Sequence, residues 1–208
     1  MNYFGLFFLL FISFAAHARD SLPAVLKRMH TDSAVKLAYQ ERKDLTLMAQ
    51  PWHGEGFLYS LPKEGVMIKQ QLKPERVLMA VIGQQLFYYD VKNQLRHQGL
   101  LDESHPFSLN VAVFKALMSQ DMVLLEQFYQ LDFLSQADQW QLILKDKNDP
   151  DSAFKIIISG PLQRPANRID IQQADGDSSI MSLSKIAEGE KVEQEIENLL
   201  RQLTQSTH

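Results

Sequence analysis

From Lys36 to Gly99 the apolar pattern has a period of two and is broken every few residues by turn chemistry, which leaves no room for a helix between strands. Lys36 to Arg42 and Leu45-Thr46-Leu47 read as one long strand closed by Pro51. Gly56 to Tyr59 is a second strand, turned by Pro62-Lys63-Glu64-Gly65 into a third over Val66 to Leu72. Lys73-Pro74-Glu75 leads into Val77 to Ile82, Gly83 into Leu86 to Tyr89, and Asp90 with Asn93 into a sixth strand from Gln94 to Gly99. Short strands joined by tight turns pair as an antiparallel meander.

Helical spacing replaces this rhythm in three places. Ser21 is suited to cap a helix reaching Ser33, with Leu22, Val25, Leu26 and Met29 on one side. After strand six, Phe107, Val111, Phe114, Leu117 and Met118 share one helical face, and Asp121 is placed to cap a second helix with Met122, Leu125 and Phe128 inward. At the end of the chain Val192, Ile196, Leu199 and Leu203 form a narrow apolar stripe on a charged helix, expected to dock on its own domain. Between the helix pair and that last helix the strands resume: Leu131 to Leu134, Trp140 to Leu144, Phe154 to Ser159, Arg168 to Gln172 and Ser179 to Leu183. Asp175-Gly176 supplies the hairpin turn between the last two.

The expected fold is therefore α+β and mainly antiparallel β: one sheet of about eleven strands, the first six and last five separated by two helices. A twisted sheet of that size curls into an incomplete barrel. The helices then cover its concave apolar face, and imperfect closure leaves an apolar cavity. The cavity candidates are Phe57, Tyr59, Met67, Leu78, Leu86, Tyr88, Phe114, Leu117, Met118, Phe128, Trp140, Leu142 and Leu144. Each competes with an ordinary core role, as do Met79, Met122 and Met181, because flexible thioethers suit both a variable ligand and an irregular core. A slip of one residue in register would turn each strand's set to the other face.

Asn2 to Ala18 has no charged side chain, has a dense apolar run from Phe4 to Ala15, and ends in Ala16-His17-Ala18. That layout is a secretory signal peptide, with cleavage expected after Ala18 and export. Its apolar run is shorter than the roughly 20 residues of a spanning helix. The rest, 19–208, reads as a single domain.

Composition removes several functional classes. With no cysteine there is no disulfide, thiolate metal site, thiol nucleophile or lipid-modified N-terminal cysteine. A net charge of −4 without a basic block argues against nucleic acid as a partner. His30, His53, His97 and His105 lack metal-ligand spacing, so no metal and no cofactor is expected. Gly54-Glu55-Gly56 meets Tyr59 where a nucleotide fingerprint needs a third glycine, and reads as a turn before a strand. Asp175-Gly176-Asp177 lacks the glycine and glutamate of a calcium loop, with Ile180 and Ile186 in their places. No nucleophile or acid–base pair stands out, so the chain reads as a non-enzyme and a monomer.

Within this frame, Lys36 to Asp90 resembles the LolA-like carriers of outer-membrane lipoproteins. The resemblance rests on Tyr39-Gln40-Glu41-Arg42, on Pro51, on Gly54/Gly56-Phe57-Leu58-Tyr59, on Leu61-Pro62, and on Val81-Ile82-Gly83-Gln84-Gln85-Leu86-Phe87-Tyr88-Tyr89-Asp90, in that order. It implies a half-barrel with a helical lid that shelters acyl chains. It further implies a lipidated protein or lipid as cargo, an inner-membrane transporter as donor and an outer-membrane acceptor. Leu61 stands where the family has a lid-pinning arginine and Met67 where a cavity tryptophan is common. A lid held by packing more than by polar bonds is the expectation, with the cargo left open between lipoprotein and other lipid. A lipid-sensing module on a similar half-barrel and a lipid-modifying enzyme are the alternatives.

Overall fold

The computed structural model describes residues 20–100, 122–136 and 138–204. The sequence-predicted first inserted helix, with Phe114, Leu117 and Met118, lies outside the described residues, as do the leader and Asp121. Among the described residues the order is helix α1 (Leu22–Met29), strands β1 (Val35–Asp44), β2 (Trp52–Leu61), β3 (Val66–Lys73), β4 (Val77–Ile82), β5 (Gln85–Asp90) and β6 (Leu95–Leu100), and helix α2 (Met122–Phe128). Strands β7 (Tyr129–Ser135), β8 (Gln139–Asp146), β9 (Lys155–Pro161), β10 (Arg168–Gln172) and β11 (Ser178–Glu188) follow, then helix α3 (Glu190–Thr204). No helix among the described residues is long and apolar enough to cross a membrane.

All eleven strands form one antiparallel sheet in the order β6-β5-β4-β3-β2-β1-β11-β10-β9-β8-β7. Two meanders, each built from local hairpins, are joined at the centre by β1 and β11, which pair from Val35↔Glu188 to Asp44↔Ser178. The sheet does not close, so β6 and β7 remain its two edges. This is the incomplete barrel expected from the strand rhythm.

Local chemistry sets most element ends. Ser21 Oγ accepts the Ala24 N–H at 3.4 Å and caps α1, while Lys27 and Arg28 occupy its last turn, where cations suit the helix dipole. The helix ends before His30, four residues earlier than predicted: Thr31 Oγ1 accepts the Ser33 N–H and offers the backbone an alternative to another turn. Leu45 to Leu47 does not extend β1. Its neighbours in the sheet begin at Trp52 and Ser178, so no ladder partner exists beyond Asp44. Asp177 Oδ1 instead takes the Thr46 N–H at 2.7 Å, and Leu47 is left 98% exposed.

Gly54 and Gly56 lie inside β2 rather than in a turn before it. The ladder shifts between Glu55 and Gly56, and a side chain on Gly56 would meet the Gln70 carbonyl oxygen at 2.0 Å, so this bulge admits only glycine. At the β10–β11 hairpin, Gly176 has φ of 93°, the left-handed region in which glycine is unstrained, as the Asp-Gly signal predicted.

Two apolar clusters sit on opposite faces of the sheet. The stripe Val192, Ile196, Leu199 and Leu203 of α3 is buried against Tyr59, Ile68, Leu78, Ala80, Phe87 and Tyr89. Polar ties fix that helix. Glu195 accepts from Lys36 Nζ at 2.7 Å and Tyr59 Oη at 3.1 Å, and Arg96 Nη1 donates to the Gln202 and Leu203 carbonyls while its guanidinium lies 3.5 Å over the Tyr89 ring. On the other face, Val25 and Leu26 of α1 and Leu125 of α2 pack on Trp140, Leu142, Leu144, Ile156 and Ile158.

Candidate functional site: an apolar hollow with a buried charge cluster

The register decides which side chains share the second face. Cross-strand partners point the same way. Leu37↔Leu58↔Lys69↔Met79 runs toward β5, where Met67↔Val81↔Leu86 runs beside it. In the other direction Glu41↔Met181↔Ile169↔Ile158 and Lys43↔Ser179↔Ile171↔Ile156 continue the same face toward β9. Helices α1 and α2 pack over its β7–β9 end.

The part of this face that α1 and α2 leave open holds a solvent-connected apolar hollow of about 150 Å³. Its walls are Leu58, Met67, Met79, Val81 and Leu86 on one side and Met181, Ile169 and Ile171 on the other. Strands β5 and β10 stand six strand spacings apart in the sheet, about 29 Å if flat. Both contribute to one hollow, so this face is the concave one. Its polar side chains are Lys69 and Ser179. A second hollow, about 510 Å³ and more polar, adjoins it beneath the end of α1; Ile169 lines both, and Arg28, Arg164, Lys185 and Glu188 surround the second.

A charge cluster sits beside the first hollow. Glu41 is 6% exposed. It accepts from Lys69 Nζ at 2.6 Å and from Ser179 Oγ at 3.0 Å, and Lys43 Nζ lies 3.5 Å away. Burial pushes the Glu41 carboxyl up, but the two ammonium charges and these hydrogen bonds outweigh it and hold the pKa below the ordinary carboxylate value. Lys69 is lowered: burial disfavours its charged form, Glu41 offsets this incompletely, and the like charge of Lys43 adds to the lowering. Tyr39, 2% exposed on the same face, has its ring 4.8 Å from Lys69 Nζ and a hydroxyl buried without a hydrogen-bond partner. Burial, with Glu41 nearby, pushes that phenol well above its usual pKa.

The sign of the Glu41 shift gives an acid-stability prediction. A depressed carboxylate contributes stability that is fully present above the unfolded pKa, about 4.3, and is lost as pH falls through the folded value. Urea unfolding between about pH 5 and pH 3 is expected to show a steeper loss for the native chain than for Glu41→Gln; parallel profiles would disprove the assignment.

The predicted cavity residues fall into distinct places. Met67 and Leu86 line the hollow, together with Met79 and Met181. Tyr88 shares that face through its pairing with Met79, and its ring lies 6.0 Å from that of His97. Trp140, Leu142 and Leu144 are fully buried under α1 and α2, with Phe128 packed at the edge of the same cluster. Phe57, Tyr59 and Leu78 belong to the α3 cluster: Tyr59 borders the hollow, but its hydroxyl reaches Glu195 of α3, and the register turns Phe57 and Leu78 to the α3 side with it. Sequence reasoning did not single out Leu58, Val81, Ile169, Ile171, Lys69 or Glu41. The available signal was opposite charges at inward positions of two strands, Leu37-x-Tyr39-x-Glu41 and Met67-x-Lys69.

No protein-family model matches the sequence, and no curated protein does. Solved structures do. An uncharacterized conserved protein from Thermus thermophilus is similar with a TM-score of 0.50 at 11% identity, over 89% of this chain and 91% of that one. A LolA superfamily protein from Nitrosomonas europaea is similar with a TM-score of 0.44 at 12% identity, over 80% and 91%. A DUF1329 family protein from Desulfovibrio piger has a TM-score of 0.39 at 11% identity, over 77% and 88%. What the chain shares with the Thermus thermophilus protein is the fold, and that fold is the open eleven-stranded antiparallel half-barrel described above.

Proposed function

We propose that this protein is a carrier of acyl chains, working in the periplasm after cleavage behind Ala18. It takes a lipidated protein or a lipid from an inner-membrane transporter and delivers it to an outer-membrane acceptor. The observation that carries this reading is the hollow, where methionine, leucine, valine and isoleucine side chains from six strands form a wall that a soluble protein would otherwise bury. A chain of about 16 carbons costs roughly 12 kcal/mol to expose to water, at about 0.8 kcal/mol per methylene. Transit through an aqueous compartment therefore needs an apolar container. Methionines on three strands suit chains of differing shape, since thioethers repack at little cost. The stripe of α3 is used on its own sheet and so is not free to dock a partner of a sensing module.

The test is native mass spectrometry of protein purified from the exported fraction, followed by organic extraction. Lipid that co-purifies and leaves on extraction, together with uptake of a fluorescent fatty-acid analogue by the emptied protein, is expected. An export-fraction protein that carries no lipid and takes up no analogue would overturn the proposal.

A further inference from the structure

The charge cluster beside the hollow is unbalanced. Glu41 supplies one negative charge, and both Lys69 and Lys43 lie within ion-pair distance of it, at 2.6 and 3.5 Å. Among the described residues no second carboxylate pairs with either lysine. The cluster therefore carries one positive charge more than it has negative charge, with Lys43, 37% exposed, on its solvent side and Lys69 on its inner side. Lys69 is the member of the cluster that reaches the hollow, since it lines the wall between Leu58 and Met79. Its ammonium has three protons; one serves Glu41 and the Tyr39 ring faces another side of the group. The hydroxyl of that same Tyr39 is buried without a hydrogen-bond partner. Ordinary cores rarely leave a buried hydroxyl unpartnered on a residue whose ring lies against an ammonium with protons to spare.

We infer that the hollow accepts an acyl ligand whose head carries an anionic oxygen group, carboxylate or phosphate, and that Lys69 donates to that group with Tyr39 beside it. This rests on the acyl-carrier reading and narrows it: the cargo end nearest Glu41 is anionic, not a neutral alcohol or amide. Lys43 holds Glu41 from the outer side, so that a single carboxylate does not absorb the whole charge of Lys69. Glu41 in turn keeps Lys69 in place when no ligand is bound, which makes it a competitor of the ligand head. Removing Lys43 and removing Glu41 should therefore act in opposite directions.

Equilibrium binding of laurate, dodecyl phosphate and dodecanol, which share one chain length, separates the possibilities. The native protein is expected to bind at least one of the two anions about tenfold or more tighter than dodecanol, the size of one charge-assisted hydrogen bond. The better of the two assigns the head as a free fatty acid or as a phosphorylated lipid. Lys43→Gln, which neutralises the cluster, should bring that ratio close to one, and Glu41→Gln should raise it. Folding of each variant is read from its near-UV circular dichroism. Because the two substitutions move the ratio oppositely, general loss of structure cannot imitate the result. Equal binding of all three ligands by the native protein overturns the anionic head and leaves the carrier standing. Failure to bind any of them overturns the carrier reading itself. Inorganic phosphate bound as tightly as dodecyl phosphate would mean a free-anion site, and overturns the inference as well.

Discussion

Replacing Trp140 with alanine is expected to remove about 3–5 kcal/mol of stability, the range for deleting a buried aromatic side chain. Trp140 is fully buried at the start of β8. Its indole Nε1 donates to the Arg164 carbonyl at 3.0 Å, and its ring stacks on Phe133 with centroids 6.4 Å apart. The register places it opposite Gly160, where a Cβ would stand 3.1 Å from the ring and 2.5 Å from the Pro165 carbonyl oxygen. Indole and glycine thus fill one space between them, and neither neighbour can move to collapse the void. A domain of this kind has roughly 5–15 kcal/mol in total, so the variant sits near the edge of folding. Trp140→Phe keeps most of the packing but strands the Arg164 carbonyl, for a loss of about 1–3 kcal/mol. Urea unfolding followed by circular dichroism measures both. A loss below about 1 kcal/mol for the alanine variant would show that Trp140 is not the packing centre of the α1–α2 cluster.

Met181→Trp is expected to abolish most acyl binding while leaving the sheet intact. Met181 sits on β11, paired with Glu41 on one side and Ile169 on the other, where the two walls of the hollow meet. An indole there takes the room of several methylenes. Excluding about four of them forfeits roughly 3 kcal/mol, more than a hundredfold in affinity. Met181→Leu conserves volume and should bind within a few-fold of the native protein. Titration with a fluorescent fatty-acid analogue gives both numbers. Unchanged binding by Met181→Trp would place the ligand elsewhere, with the adjoining hollow under α1 as the first alternative.

Much of the fold was legible along the chain because its signals are local. Strands β4 and β10 begin and end where the alternation does, and the Asp175-Gly176 turn follows from the backbone that only a few residues tolerate. The stripe of α3 was equally plain, since four apolar residues at helical spacing must be buried somewhere. Leu45 to Leu47 misled because apolar alternation says that a segment could be a strand, and says nothing of whether a neighbour is present to pair with it. Phe57 and Met67 show the same gap from another side. Both are apolar residues in strands, but β2 and β3 are buried on both faces in this region, so alternation does not tell which row faces the hollow and which faces α3. Glu41 and Lys69 were passed over because each alone looks like an ordinary surface charge. Only their pairing across β1, β2 and β3 makes them one buried cluster.

The order of residues by itself determined that this chain forms hairpins, that a helix precedes strand seven, and that enough apolar surface is left over to require a cover. Those outcomes depend on interactions within a few residues of one another, where turn geometry and side-chain period leave few choices. Tertiary structure alone decided that β1 pairs with β11, across nearly the whole described chain, and that pairing sets the orientation of every other strand relative to the concave side. Which methionines see the hollow, where α3 docks, and which two lysines share one carboxylate all follow from that single long-range register. Pairing over such a separation is governed by the combined burial of many residues, and no short stretch of sequence contains that sum.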